Sequence, residues 1–298
     1  MSLTYHNGSL LPSTDVQLPL SDLGFMMGVT VSERLRTFSG RLFRLPKHMD
    51  RLRQSLAWIG LEPPESIEEL TEAAENLASN NHALIDPADD LGMYILVTPG
   101  TVNQDPARPT VIIGTAPLDF SCWKETYREG KKLVTSQHRQ IPASSWHPHL
   151  KCRSRMHYYL ADQEAERREP GSRALLLDQQ GHVGEASTAN VVMYMEQHGL
   201  ISPRREGILA GISLDVLEEL AGSLSIPFSE RDLSIADLAS ADEILLTSTS
   251  PCVWSVTGLD GSPIGGGQVG PCCTQVLSAW SSLVGVDIVG QAEQFAVR

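Results

Sequence analysis

The chain has 298 residues, 41% of them hydrophobic, with a formal charge of −13 and five cysteines. This is enough length and apolar content for a core in each of two domains, while the acidic balance, without a basic stripe, excludes a nucleic-acid backbone as partner. No apolar run reaches the roughly 20 residues that cross a bilayer, Met1 to Leu20 lacks the pattern of a secretory signal, and the odd set Cys122, Cys152, Cys252, Cys272 and Cys273 shows neither C-x-x-C nor Cys/His spacing; a reduced, cytoplasmic protein with no metal and no membrane partner is expected.

In chain order, Leu35 to Phe38 and Leu42-Phe43 read as strands around a turn at Gly40. Met49, Leu52, Leu56 and Ile59 then recur at helical spacing until Gly60, Pro63 and Pro64. Ser66 with Glu69 three residues on forms a capping box that opens a second helix burying Ile67, Leu70, Ala74 and Leu77. Strands follow at Met93 to Thr98 and Val111 to Gly114. The polar stretch from Pro117 to Gly130 lacks a period, so an N-terminal α/β domain is expected over 1–120, a connection over 121–135 and a C-terminal α/β domain over 136–298.

That second domain opens with a strand at Leu133 to Thr135, a proline-bearing loop from Pro142 to Pro148 and a helix from about Arg153 to Arg168. A hairpin comes next, with arms at Ala174 to Leu177 and Asn190 to Met195 and its turn at Asp178 to Gly181. A helix follows Gly211, a strand covers Ile244 to Leu246, and the last helix runs from about Pro271 to Leu283. Irregular mixing of strands and helices predicts a mixed α/β (α+β) fold and not a Rossmann fold.

Only five residues are lysines, so lysine chemistry has few candidates. Lys151 follows Trp146 to Leu150 and precedes a helix, where desolvation would favour the free amine that Schiff-base chemistry needs. Glu185 sits among small residues ahead of an apolar strand, where a carboxylate could face a basic ring nitrogen and keep it protonated. Two segments could cradle a phosphate: Leu209 to Ser213 at a helix start, and Thr247 to Pro251 just after a strand. Taken singly, each has an ordinary reading as a surface lysine, a solvated turn acid, a helix cap and a polar strand end, and Arg51 alone reads as a solvated helix residue.

Taken together, Asp22 to Phe25 with Gly28 and Glu33, then Gly40, Phe43, His48, Arg51-Leu52, Leu150-Lys151, Asp178 with Gly181, Glu185 with Asn190, Gly211-Ile212, and Glu243 with Thr247 to Thr249 resemble fold-type IV pyridoxal-phosphate enzymes. That family includes branched-chain and D-amino acid aminotransferases and aminodeoxychorismate lyases. The resemblance implies two α/β domains with pyridoxal 5'-phosphate in the cleft between them, and a homodimer. It assigns Lys151 to the Schiff base, Glu185 to the pyridine nitrogen, and Arg51, the amides of Ile212 and Ser213, and the Thr249 hydroxyl to the phosphate, with Ser250 also counted among the cofactor-binding residues and backbone amides near it available to a substrate carboxylate.

The chain departs from the family pattern in three places. Met156 stands where many members carry a tyrosine, with Arg155, Tyr158 and Tyr159 nearby. Ser32 and Arg34 do not resemble the wall of a branched-chain pocket, and Arg34 and Arg36 could recognise a second acidic group or be surface charge. Pro99 replaces the arginine that holds the carboxylate in D-amino acid enzymes. The expected activity is ping-pong amino transfer between a small amino acid, branched-chain in type, and a 2-keto acid such as 2-oxoglutarate. The alternatives are a 4-amino-4-deoxychorismate lyase and a non-catalytic binding protein of the same fold.

Overall fold

The computed structural model describes residues 1–102 and 108–297. The chain divides into two compact units, Met1–Leu118 with Leu150–Ser154, and Asp119–His149 with Arg155–Arg298.

Among the described residues, the first unit is built on a six-stranded sheet in the order β2-β1-β6-β5-β3-β4. The strands are β1 (Leu3–His6), β2 (Ser9–Pro12), β3 (Val31–Phe38), β4 (Arg41–Leu42), β5 (Leu91–Thr98) and β6 (Thr110–Pro117), accompanied by helices α1 (Leu23–Met26), α2 (Leu45–Ile59) and α3 (Ile67–His82). The periodicity of α2 puts Leu45, Met49, Leu52 and Leu56 on the buried side, and Gly60 ends it in the left-handed conformation that glycine adopts without strain. The capping box of α3 forms as expected: Glu69 donates its amide to Ser66, whose own amide donates to the Glu69 carboxylate. One sheet face joins α2 and α3 in a core of Val31, Leu35, Leu52, Leu70, Leu77, Met93, Ile95 and Ile113. Side chains alternate along a strand, so Ser32, Arg34 and Arg36 share the opposite face with Tyr94, Leu96 and Ile112.

The second unit carries β7 (Lys131–Thr135), β8 (Arg173–Leu177), β9 (Val183–Ala186), β10 (Ala189–Met195), β11 (Gly199–Ser202), β12 (Phe228–Glu230), β13 (Glu243–Ser248), β14 (Cys252–Leu259) and β15 (Ser262–Pro263). Its helices are α4 (Phe120–Glu129), α5 (Met156–Arg168), α6 (Ile212–Ser223), α7 (Ile235–Ala239), α8 (Pro271–Val284) and α9 (Ile288–Gln294). Strands β10, β13, β14, β7, β8 and β9 pair in succession, and β9 pairs again with β10, so this run closes into a ring.

Three sequence expectations differ from these elements. The stretch given to a connection over 121–135 is α4 and β7 of the second unit: Asp119 caps the helix by accepting the Cys122 amide, and Phe120, Trp123 and Tyr127 recur at helical spacing on its packed side, a short repeat among polar residues. Lys151 lies in the first unit, because Leu150–Ser154 bonds along the start of β3 instead of staying with the helix that follows. The arm that returns from β8 is Val183–Ala186, and Ala189–Met195 is a third strand reached through a tight turn in which Thr188 takes a φ of 66°.

Candidate active site

In the first unit the Lys151 main chain is held on both sides. Its carbonyl accepts the Ser32 amide at 2.9 Å, its amide donates to Ser55 Oγ at 3.3 Å, and the next residues continue the pairing through Arg153 N to the Thr30 carbonyl at 2.8 Å. Ser154 Oγ closes the segment on the Gly28 carbonyl, and Leu150 packs against the core under the sheet. Lys151 is only 8% exposed, so this buried position supports a desolvated amine and not the surface lysine of the plainer reading.

Arg51 lies one helical turn before Ser55 on α2, and its guanidinium donates twice to Glu33, Nε to Oε1 at 2.7 Å and Nη2 to Oε2 at 2.8 Å. His48 completes the cluster with Nδ1 at 2.7 Å from Glu33 Oε2. Burial alone would raise the Glu33 carboxyl, but the Arg51 charge and the bonds from Arg51 and His48 hold it well below the usual carboxylate range. Burial lowers His48, which Glu33 opposes and the charges of Arg51 and Lys151 reinforce. Glu33 therefore fixes the direction in which Arg51 presents its charge, a role its place in a strand motif did not reveal.

In the second unit Glu185, on β9, accepts from Tyr158 Oη at 2.8 Å, Asn190 Nδ2 at 3.0 Å and the Leu209 amide at 2.6 Å. Donors at both oxygens suit an ionised, acceptor-only group. Burial and the Glu185 charge raise the Tyr158 hydroxyl well above its ordinary value, so it remains a donor. Tyr158 is thus engaged with Glu185, while Met156 and Tyr159 are exposed.

Asn190 links Glu185 to the helix start. It donates to the Leu209 carbonyl as well, and its Oδ1 would lie 1.9 Å from a Cβ at residue 211, so only glycine fits before α6. Ile212 and Ser213 open α6, where no side chain caps the first-turn amides. Asn190 also pairs with Thr247 of β13, and Thr249 and Ser250 form the tight turn from β13 to β14. Tyr127 Oη steadies that turn through the Pro251 carbonyl at 2.8 Å. Glu185, Asn190, Gly211 and the end of β13 therefore cluster at one place in the second unit.

Two other motif acids are structural. Asp22 is fully buried and accepts bonds from the Gly24 amide and the hydroxyls of Thr98 and Thr110. Glu243 accepts the amides of Cys272 and Cys273 at the start of α8, and burial raises its carboxyl. Ser55, His48, Tyr158 and Asn190 are polar neighbours that sequence reasoning left without a role; only their three-dimensional bonds reveal it. No group of three or more His, Cys, Asp and Glu with metal-holding geometry occurs among the described residues.

The family model for amino-transferase class IV matches residues 30–259. The D-alanine aminotransferase of Staphylococcus epidermidis is 27% identical over 95% of this chain and 98% of its own length. A putative branched-chain-amino-acid aminotransferase of Methanocaldococcus jannaschii is 28% identical over 89% of this chain and 91% of its own. Among solved structures, a putative branched-chain amino acid aminotransferase of Thermotoga maritima aligns with a TM-score of 0.79 at 28% identity, covering 95% of each chain. The branched-chain amino acid aminotransferase of Escherichia coli aligns with a TM-score of 0.81 at 24% identity over 97% of this chain and 95% of its own, a likeness of fold. With a match that spans most of its length, this chain belongs to the class IV aminotransferase family.

Proposed function

We propose that the chain moves an amino group between a small amino acid, branched-chain in type, and a 2-keto acid such as 2-oxoglutarate, by ping-pong exchange on pyridoxal 5'-phosphate held by Lys151. The observation that carries this reading is Lys151 itself, a buried amine whose backbone is anchored to β3 and α2. Within each unit, the polar groups present suit the parts of the cofactor assigned to them. Arg51, the Ile212 and Ser213 amides, the Thr249 hydroxyl and Ser250 are assigned to the cofactor, chiefly its phosphate, and α6 starts at Gly211 without a side-chain cap. Glu185, with Tyr158, Asn190 and the Leu209 amide donating to it, is the acceptor assigned to its ring nitrogen.

When bound, the cofactor supplies an electron sink for charge developing at the substrate α-carbon. Lys151 Nζ would hold the cofactor and would move the proton taken from the substrate α-carbon. Glu185 would accept a charge-assisted bond from the cofactor's ring nitrogen and so favour its protonated form. Tyr158 acts through Glu185 by positioning it. Glu33 does the same for Arg51, offsetting the cost of burying a lone guanidinium.

Similarity to aminotransferases along nearly the whole chain supports amino exchange over pyruvate release by a lyase and over a non-catalytic role. A second reading, D-amino acid donors, is favoured by the D-alanine aminotransferases among the relatives and opposed by Pro99, which lacks the arginine side chain at that position. We assign the protein to the cytoplasm as a homodimer. Its five cysteines are all free, no single helix among the described residues is long and apolar enough to cross a membrane, and Leu20, Phe25, Met26 and Met27 expose an apolar surface suited to a partner.

The test is a panel of L- and D-amino donors offered with 2-oxoglutarate, scored by the keto acid formed. Turnover of L-leucine or L-valine above D-alanine supports the branched-chain reading. Turnover of D-alanine alone replaces it with the second reading, and pyruvate release from aminodeoxychorismate without amino transfer overturns both.

A further inference from the structure

Glu185 and Asn190 face each other across a two-residue turn. Ala186 pairs with Ala189 and Glu185 with Asn190, so Ser187 and Thr188 alone join β9 to β10. Thr188 takes a φ of 66°, a left-handed conformation that is costly for a β-branched side chain and that tight turns ordinarily give to glycine or asparagine. Such strain persists only where the surroundings hold it, and it collects at functional sites.

Two side chains grip this turn. Arg173, at the start of β8, donates Nη2 both to the Ser187 carbonyl and to Thr188 Oγ1, the latter at 2.6 Å, and its guanidinium carbon lies 6.0 Å from the centre of the Trp254 ring. Burial lowers the guanidinium from its usual range and the Asp162 charge opposes that shift, yet Arg173 forms no ion pair among the described residues. Its hydrogen bonds go to the turn instead. Asp162, on α5, accepts the Ser187 hydroxyl at 2.6 Å and the Ala174 amide at 3.1 Å, and the Ser187 amide donates to the Ala174 carbonyl at 3.0 Å. Ser187 is fully buried under these bonds, whereas Thr188 is exposed. Packing therefore does not call for threonine at 188; the hydroxyl that meets Arg173 does.

The turn matters because it sets register. A slip of one residue turns every side chain of a strand to the other face, and the Asn190 side chain would then lose both the Glu185 carboxylate and the Leu209 carbonyl, each reached at 3.0 Å. We propose that Arg173 and Thr188 are positioning residues for the ring-nitrogen acceptor: the grip of Arg173 on the strained turn keeps Glu185 paired with Asn190 and its carboxylate aimed at the cofactor. The inference rests on the reading of Glu185 as that acceptor, and both residues act through Glu185.

The test compares pyridoxal 5'-phosphate with its 1-deaza analogue, in which carbon replaces the ring nitrogen and every other group is kept. Dissociation constants of both are measured by equilibrium dialysis of the full chain loaded with one or the other, for the unaltered protein, Arg173→Gln, Arg173→Lys and Thr188→Gly. The unaltered protein is expected to prefer the natural cofactor about 10- to 100-fold, the worth of one charge-assisted bond. Arg173→Gln and Thr188→Gly should each cut that preference about 3- to 10-fold with binding of the analogue unchanged, and Arg173→Lys, which keeps the charge and loses the fork, should fall between. Glycine adopts the turn conformation without strain, so Thr188→Gly tests the grip in a fold that has been relieved and not burdened. Equal weakening of both ligands in the variants overturns the inference, because a disturbed fold treats the two alike. A preference that survives both Arg173→Gln and Thr188→Gly overturns it as well, while the reading of Glu185 stands. If the unaltered protein shows no preference, the reading of Glu185 fails and the inference fails with it.

Discussion

At the scale of single residues, the buried charges are organised by one acid in each unit. Glu33 collects Arg51 and His48, and Glu185 collects Tyr158, Asn190 and the Leu209 amide. The first cluster makes stability depend on acid in a definite direction. Glu33 titrates below its ordinary range in the fold, so its contribution is complete above the unfolded value of about 4.3 and is lost as pH falls below it. His48 is lowered too, so the fold takes up its proton at lower pH than the unfolded chain does near about 6.5, and stability falls below that value as well. Thermal melts should therefore show a melting temperature that declines below about pH 6.5 and more steeply below about pH 4.3. Glu33→Gln should lower stability at pH 7 by about 3–5 kcal/mol, since Arg51 loses a buried partner, and should flatten the acid limb. A melting temperature indifferent to pH between 4 and 7 in the unaltered protein would show that the cluster does not carry the charges assigned to it.

At the scale of elements, α6 offers a matched pair of glycines. A Cβ at Gly211 would press on Asn190, whereas one at Gly222, inside the same helix, would meet nothing within 4 Å. Gly211→Ala should weaken cofactor retention after gel filtration and lower the melting temperature, while Gly222→Ala should raise stability by about 0.5–1 kcal/mol and leave retention unchanged. Equal effects from both would remove the special place given to the start of α6. Elements with strong local signals were legible in the sequence: α2 through its apolar spacing, α3 through its capping box, and β5 through an apolar run. Elements set by partners far along the chain were not. The Gly184-Glu185-Ala186 run has too few large side chains to read as a strand, yet it forms β9 because β8 and β10 both pair with it. In α4 the helical repeat is only Phe120, Trp123 and Tyr127, too short to stand out among the polar residues between them.

At the scale of the whole molecule, the two-unit division and the mixed α/β class follow from length and pattern, but Lys151 belongs to the first unit by hydrogen bonds that sequence order conceals. The same limit applies to the candidate site. Lys151, Glu185, Arg51 and the residues around Gly211 and Thr249 were recognisable as motifs, while the partners that hold them, Ser55 for Lys151, Glu33 for Arg51 and Tyr158 for Glu185, act across 18 to 96 residues of chain. The central claim is that Lys151 carries the cofactor and that amino acids discharge it. Its most direct test is the visible absorbance of the cofactor-loaded protein before and after addition of L-leucine, L-valine, L-glutamate and D-alanine, with Lys151→Ala as comparison. The account predicts a band from lysine-bound cofactor that Lys151→Ala lacks and that at least one of these amino acids converts to the spectrum of the aminated cofactor. A band that survives Lys151→Ala unchanged, or that no amino acid converts, would contradict it.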